Sequence, residues 1–294
     1  MHLSAISVYP VKSCRGLPVD TAVVEATGLA EDRRWMVLDP AGEVLTARSV
    51  PALYRVTPTP LVGGGLSLAA AGRTPLIVPA PAGGAVHRVA VVGMSGMDRA
   101  LAAGPAADRW LSEALGRPVQ LVTLDGQAPR TLAGRHGGHP GDLFNLSDAG
   151  PVLLASTTSL RQLDRWVAEG AAARSAEAPT TAGARTTADA PTAADVPTMA
   201  MERFRPNVVV DGAGQAFEEE SWTAVRIGDV DFRLGEVCDR CAMTLLDPDT
   251  LARGKEPIRT LARHRRRDGA VWFGTRLIPT TTGTISIGDP VSAS

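Results

Sequence analysis

Cysteine is scarce: the 294 residues include only Cys14, Cys238 and Cys241. That excludes the disulfide frameworks of small secreted domains and a plant-type iron–sulfur centre, which needs four thiolates. No stretch approaches the roughly 18 uninterrupted apolar residues of a membrane-spanning helix. The first residues, MHLSAISVYPVKSCRG, lack a basic segment followed by an apolar run, so no secretory signal is expected. A net charge of −1 leaves no electrostatic footprint for nucleic acid, and no glycine-rich dinucleotide fingerprint follows a strand. These absences predict a soluble, cytoplasmic protein that binds neither nucleic acid nor membrane.

What the chain does have is a series of short β-rich runs. LSAISVY alternates apolar and polar residues, and RRWMVLD, EVLTARS, YRVTPTP, GLSLAA and HRVAVVG follow, separated by Gly and Pro clusters, as a barrel or sandwich requires. In ADRWLSEALG, Trp110, Leu111, Ala114 and Leu115 share a helical face and Gly116 supplies a stop. STTSLRQLDRWVAEG predicts a second helix with Leu160, Leu163, Trp166 and Val167 on one side and Ser156 or Thr158 as its cap. Residues 170–201 are almost all Ala, Thr, Pro and small polar residues, and read as a flexible insertion. Strands resume at FRPNVVVDG, WTAVRIGDVDFRLGEV and AVWFGTRLIP. EPIRTLARHRR is a short helix with Pro257 near its first turn, and GTISIGDPVS closes the chain as a strand pair. The expected fold is mainly β with a few short helices, in two closely packed β-rich domains, 1–125 and 126–294.

The stretch EVCDRCAMTLLDPDT puts Cys238 and Cys241 three residues apart. A redox dithiol normally opens a helix in a βα unit, whereas these follow a strand and lead to an acidic turn. A structural zinc site needs four ligands, and the histidines supply no well-spaced second pair. Two small buried thiols without chemistry are a third reading. A fourth starts from Arg240: a guanidinium beside Cys241 stabilises a thiolate, a soft ligand able to complete the coordination of a metal already chelated in an organic cofactor.

The strings YPVKSCRG, DRRWMVLD…GEVLTAR, SDAGPVLLAS…SLRQL, RFRPNVVVDG…AFEEESW…VRIGDVDFR and CDRCAMTLLDPDT…KEPIRTLARHR, ending in ISIGDPV, occur in an order that resembles the MOSC family. These proteins are related to the C-terminal domain of molybdenum-cofactor sulfurase, here with the family's N-terminal β-barrel-like domain, and the resemblance is strongest to the amidoxime-reducing members. It implies Cys241 as catalytic residue and molybdenum ligand, with Lys12, Ser13, Arg33, Asp148, Arg205, Asn207 and Arg240 binding the molybdenum cofactor (molybdopterin with its metal). It further implies an oxidoreductase, independent of pyridoxal phosphate, that reduces N-hydroxylated compounds to amines with electrons from a separate ferredoxin- or flavoprotein-type donor. The alternative implied function is a cofactor or sulfur carrier bearing a persulfide on Cys241.

Each residue also has an ordinary structural reading: Lys12 as a solvated strand-end charge, Arg33 and Arg205 as surface ion pairs, Asp148 as a helix cap, and Asn207 as a turn residue. Trp35 and Trp222 are expected in the core, and RHRRRD (263–268) as a solvated helix end whose charge complements the helix dipole. Two departures from the family pattern stand out: Leu251, where glycine is usual after DPDT, and Asp239, at a variable position.

Overall fold

The strand His2–Val8 turns Leu3, Ile6 and Val8 inward, and this apolar face carries the start of the chain into a sheet otherwise built largely from its far half. A computed structural model describes residues 1–81, 88–94, 96–124, 130–132, 134, 136–177 and 198–294. Its largest sheet has nine strands. Across it run Leu17–Val19, His2–Val8, Val208–Asp211, Val152–Ser156, Ala270–Pro279, Val230–Asp239, Ala224–Ile227 and Val291–Ala293, with Arg266–Arg267 paired onto the Ala270–Pro279 strand. Neighbours are antiparallel except Val152–Ser156 and Val208–Asp211. Parallel strands need a crossover, and the helix Thr157–Glu177 leaves the first of them directly.

A four-stranded sheet, Trp35–Leu38, Gln120–Thr123, Arg99–Ala102 and Arg88–Ala90, and a three-stranded one, Thr57–Pro60, Leu66–Ala69 and Leu76–Val78, come from the first part of the chain. Between them Trp35, Leu53, Leu66, Leu111 and Leu121 form one core, which Leu246 joins from the far half. A second core mixes Leu3, Ile6 and Val24 with Val208, Phe232 and Ile285. Each large side chain buried in this way contributes about 1.5–3 kcal/mol. The two parts of the chain are thus packed through shared cores, and the loop after Cys241 is held against the first part. The expected boundary near residue 125 falls outside the described residues.

The fold is mainly β, as expected, with three α-helices among the described residues. Pro105–Leu115 buries Ala107 and Leu111 and ends at Gly116, whose φ of 68° is the left-handed stop. Thr157–Glu177 is capped by Ser156, whose Oγ accepts from the Thr158 N–H at 3.1 Å. Its Leu160, Leu163, Trp166 and Val167 pack with Phe204, Leu261 and Phe273. Leu251 does form its turn, at φ 60°, with its N–H on Asp247 O at 3.0 Å.

Four expectations need correction. The insertion does not begin at residue 170: the helix continues through Glu177, because Ala-rich sequence extends a formed helix at little cost. It does not reach 201 either, since Met199 is buried and Met201–Phe204 is a 3₁₀ turn; the expected flexibility of 178–197 lies outside the described residues. EVLTARS is no strand, only isolated bridges at Glu43 and Val44. Gly283–Ser286 and Val291–Ala293 do not pair with each other but join Thr21–Glu25 and Ala224–Ile227 respectively. Finally, the run RHRRRD leaves its helix, Ile258–His264, partway: Arg266–Arg267 is a strand.

Candidate functional site

Beyond Val8 the chain crosses the end of the main sheet. The Lys12 N–H bonds to Trp35 O at 2.8 Å, and Ser13 turns with φ 67°. The Lys12 side chain is buried, donating to Leu146 O at 2.9 Å and to the Asp148 carboxylate. Burial lowers the Lys12 pKa, partly offset by Asp148. Burial would raise the Asp148 carboxyl, but Lys12, then Arg48 and Arg33, hold it down at about 2. Lys12 is therefore not a solvated strand-end charge, and Asp148, nine residues before its nearest helix, caps nothing.

Arg33 and Arg205 are buried as well, not surface ion pairs. Arg33 donates from Nη1 to Asp32 Oδ2 (2.6 Å) and Asn207 Oδ1 (3.0 Å). Arg205 donates from Nη1 to Cys14 O at 2.7 Å. Both guanidinium groups lie on the Tyr9 ring, with Cζ 4.5 and 4.1 Å from its centroid, contacts that favour the cations by about 0.5–2 kcal/mol. Burial drives the Tyr9 phenol well above its ordinary pKa, so the ring stays neutral beneath them. Arg33 and Arg205 have φ of 46° and 55°. With Ser13, that puts three of the expected site residues in left-handed backbone, a conformation that persists only where the surroundings over-determine it. Asn207 is a buried bracket rather than a simple turn residue: it also accepts from Leu153 N–H (3.1 Å) and donates to Ser7 O (3.2 Å).

The strand Val230–Asp239 delivers the cysteines. Cys238 is buried and Cys241 is exposed, at the start of the 3₁₀ turn Ala242–Leu245; all three cysteines are free thiols. Arg240 donates to Cys238 Sγ at 2.9 Å and to Phe204 O at 2.6 Å. This corrects the expectation that Arg240 would serve Cys241: its guanidinium reaches the inward-facing sulfur of the same strand. Asp239, at the variable position, pairs with Arg276 Nη2 at 2.6 Å.

All eight expected residues line one cavity of about 310 Å³. Lys12, Ser13 and Arg33 come from the first part of the chain, and Asp148, Arg205, Asn207, Arg240 and Cys241 from the second. Arg48, His136 and Arg276 also line it, so six Lys and Arg side chains face two lining carboxylates, Asp148 and Asp239. Buried Arg240 Nε has no hydrogen-bond partner among the described residues, and the Arg205 guanidinium also faces the Tyr54 ring, with Cζ 5.3 Å from its centroid. The charge excess and the unused Arg240 donor suit a multiply charged anion. The exposed thiol adds one soft metal ligand, and no group of three or more His, Cys, Asp or Glu suited to a bare metal ion occurs among the described residues. A phosphate-bearing cofactor that brings its own chelated metal fits this donor set.

Sequence reasoning missed several participants. Asp32 is fully buried, accepting from Tyr9 N–H (2.8 Å), Arg33, and Asn145 Nδ2 (2.9 Å). Tyr9 and Asp32 lay inside the strings YPVK and DRRW, and Arg48 ended GEVLTAR, so their proximity in sequence was the available signal. Glu236 likewise opened the string EVCDRC, whereas His136 and Arg276 had no such signal: His136 Nδ1 lies 2.5 Å from Glu236 Oε1, which Arg276 also binds.

Comparison with known proteins agrees with this geometry. A family profile described as MOSC N-terminal beta barrel domain matches residues 1–118, and one described as MOSC domain matches residues 142–292. The mitochondrial amidoxime-reducing component 1 of Homo sapiens is 31% identical over 97% of this chain and 80% of that protein. Component 2 of Rattus norvegicus is 30% identical over 98% and 82%. The molybdenum cofactor sulfurase of Oryza sativa subsp. japonica is 29% identical over 94% of this chain, which spans 32% of it. No helix is long and apolar enough to cross a membrane among the described residues. With both profiles matched in order and relatives aligned along nearly its whole length, the chain belongs to the MOSC family.

Proposed function

We propose that the protein is a molybdenum-cofactor-dependent oxidoreductase that reduces N-hydroxylated compounds, such as amidoximes, hydroxylamines and N-hydroxylated base analogues, to amines. It would work in the cytoplasm, where free thiols persist, with electrons from a separate ferredoxin- or flavoprotein-type donor. The observation that carries this reading is the exposed Cys241 thiol at the wall of a cavity lined by buried cations. In this reading Cys241 ligates the metal, and Lys12, Ser13, Arg33, Arg205 and Arg240 hold the cofactor's phosphate and pterin. Asp148 reads the pterin edge, while Asn207 lines the cavity and fixes Arg33. The bound cofactor supplies two-electron redox chemistry with transfer of an oxygen atom.

The overall balance is R–NHOH + 2 e⁻ + 2 H⁺ → R–NH₂ + H₂O. The chain's own contribution includes a proton source. The Glu236 carboxylate accepts from His136 Nδ1, which fixes the ring and leaves Nε2 to hold and release a proton at the cavity wall.

A second reading is a cofactor or sulfur carrier with a persulfide on Cys241. The exposure of that thiol and the similarity to a protein named as a sulfurase favour it. Metal analysis of the purified chain, with benzamidoxime reduction driven by a dye reductant, separates the two. About one molybdenum per chain with turnover supports the reductase; sulfur mobilisation without turnover supports the carrier.

A further inference from the structure

We propose that the basic end of the helix Ile258–His264, with the hairpin after it, is the docking face for an acidic electron-donor protein of the ferredoxin or flavodoxin class. The inference rests on the reductase reading, since only a reductase needs such a partner. Arg263 to Arg267 place four arginines and a histidine in succession. Arg265 and Arg267 share one carboxylate, Glu220. Arg263 and Arg266 are exposed and have no ion-pair partner among the described residues. Two arginines on one carboxylate, beside two with none, leave an uncompensated positive face, which attracts and orients an acidic partner.

What distinguishes this face from an ordinary solvated helix end is what lies behind it. The chain has five Phe, five Trp and two Tyr, and four of these twelve form a column from the basic face to the cavity. His264 stacks on Trp166 with centroids 4.2 Å apart, and Trp166 stacks on Phe217 at 5.4 Å. Phe217 meets Phe273 edge-on at 6.2 Å, and Phe273 stacks on Phe204 at 4.0 Å. Phe204 lines the cavity, and its carbonyl takes Arg240 Nη2. Midway along the column Arg265 lies over Phe217, with Cζ 4.2 Å from the ring centroid.

Electron tunnelling falls off exponentially with distance and is weakest across empty gaps, so a packed run of rings is a favourable medium between a docked donor and the cavity. The cavity mouth must admit substrate, and entry of electrons through the Phe204 wall leaves it free. The substrate needs two electrons; a one-electron donor supplies them in two successive encounters, leaving oxidised each time.

The test uses the full-length protein and two charge variants, Arg263→Glu/Arg266→Glu and the milder Arg263→Gln/Arg266→Gln, with melting temperatures confirming that both fold. Binding of a reduced plant-type [2Fe–2S] ferredoxin and of a flavodoxin is measured by calorimetry at two salt concentrations. Benzamidoxime turnover is measured with each protein donor and with methyl viologen. The expected result is about tenfold or greater weakening of protein-donor binding and kcat/KM at low salt, graded from Gln to Glu, with methyl viologen turnover unchanged. Unchanged binding in the variants, or no binding of either donor by the wild type, overturns the proposal. So does a variant that loses affinity for phosphatidylserine vesicles while keeping its affinity for the donors. Absence of methyl viologen turnover in the loaded wild type instead refutes the reductase reading, and the calorimetry still decides the docking face.

Discussion

Arg240 Nη1 lies 2.9 Å from Cys238 Sγ, while Cys241, one residue beyond that arginine, stands exposed. The two cysteines thus have different surroundings: one is buried against a guanidinium, the other is available to a ligand. In the cofactor-free protein, iodoacetamide is expected to modify Cys241 first and to leave Cys14 and Cys238 untouched while the fold is intact, as read by peptide mass mapping. Cys241→Ser should then contain no molybdenum, whereas Cys238→Ser should retain it. Molybdenum bound at wild-type level by Cys241→Ser would sink the ligand assignment.

Asp32 is the countercharge beneath the cavity. Asp32→Asn leaves the Arg33 guanidinium buried beside Asn145 without a carboxylate. Breaking a buried pair on one side costs about 3–5 kcal/mol, so chemical denaturation should show a loss of that order. The double variant Asp32→Asn/Arg33→Met should lose less than the sum of the single losses, because its two sites share one network.

The helices were the most legible elements, because their signals are local. Gly116 and Ser156 act within one turn of the residues they terminate or cap. Strand pairing was less so. GTISIGDPVS looks like a hairpin, yet the Ser286 N–H bonds to the Asp289 side chain and the Val291 N–H to Met1 O, so the chain turns from one sheet into another. Nothing within ten residues of that turn encodes Met1. The site was readable where a short string carried several participants at once, as in DRRW and FRPN. His136 and Glu236, separated by 100 positions, had no shared string to betray them.

His136 owes its place to two glycines. A Cβ on Gly137, whose φ is 72°, would fall 2.0 Å from Gly235 O, and Arg233 fastens the same loop through Gly137 O at 2.8 Å. His136→Gln should lower kcat for benzamidoxime by about 10² or more, with KM and molybdenum content unchanged. Gly137→Ala should lower kcat in the same direction by lifting the loop off the strand. Wild-type kcat in His136→Gln would remove the residue from the proton path.

Glu219 gives the fold a pH dependence of its own. It is fully buried, and Ser159 Oγ lies 2.7 and 2.9 Å from its two carboxyl oxygens while accepting from the Phe217 N–H at 2.7 Å. Burial, with a smaller push from Glu220, raises its pKa from 4.5 to about 7, against the hydrogen bond from Ser159 and the charge of Arg265. The folded state therefore holds a proton between about pH 4.5 and 7 that the unfolded chain releases. The folded state binds more protons in that window, so this group's contribution is complete below about pH 4.5 and is lost as pH rises to about 7. At about 1.4 kcal/mol per pKa unit, the loss is roughly 3 kcal/mol. Glu219→Gln keeps a hydrogen-bonding amide and cannot ionise. Its stability relative to wild type should therefore climb by roughly 3 kcal/mol between pH 4.5 and 7.5 in urea titrations. Parallel pH profiles for the two proteins would mean that Glu219 titrates in the fold as it does in the unfolded chain.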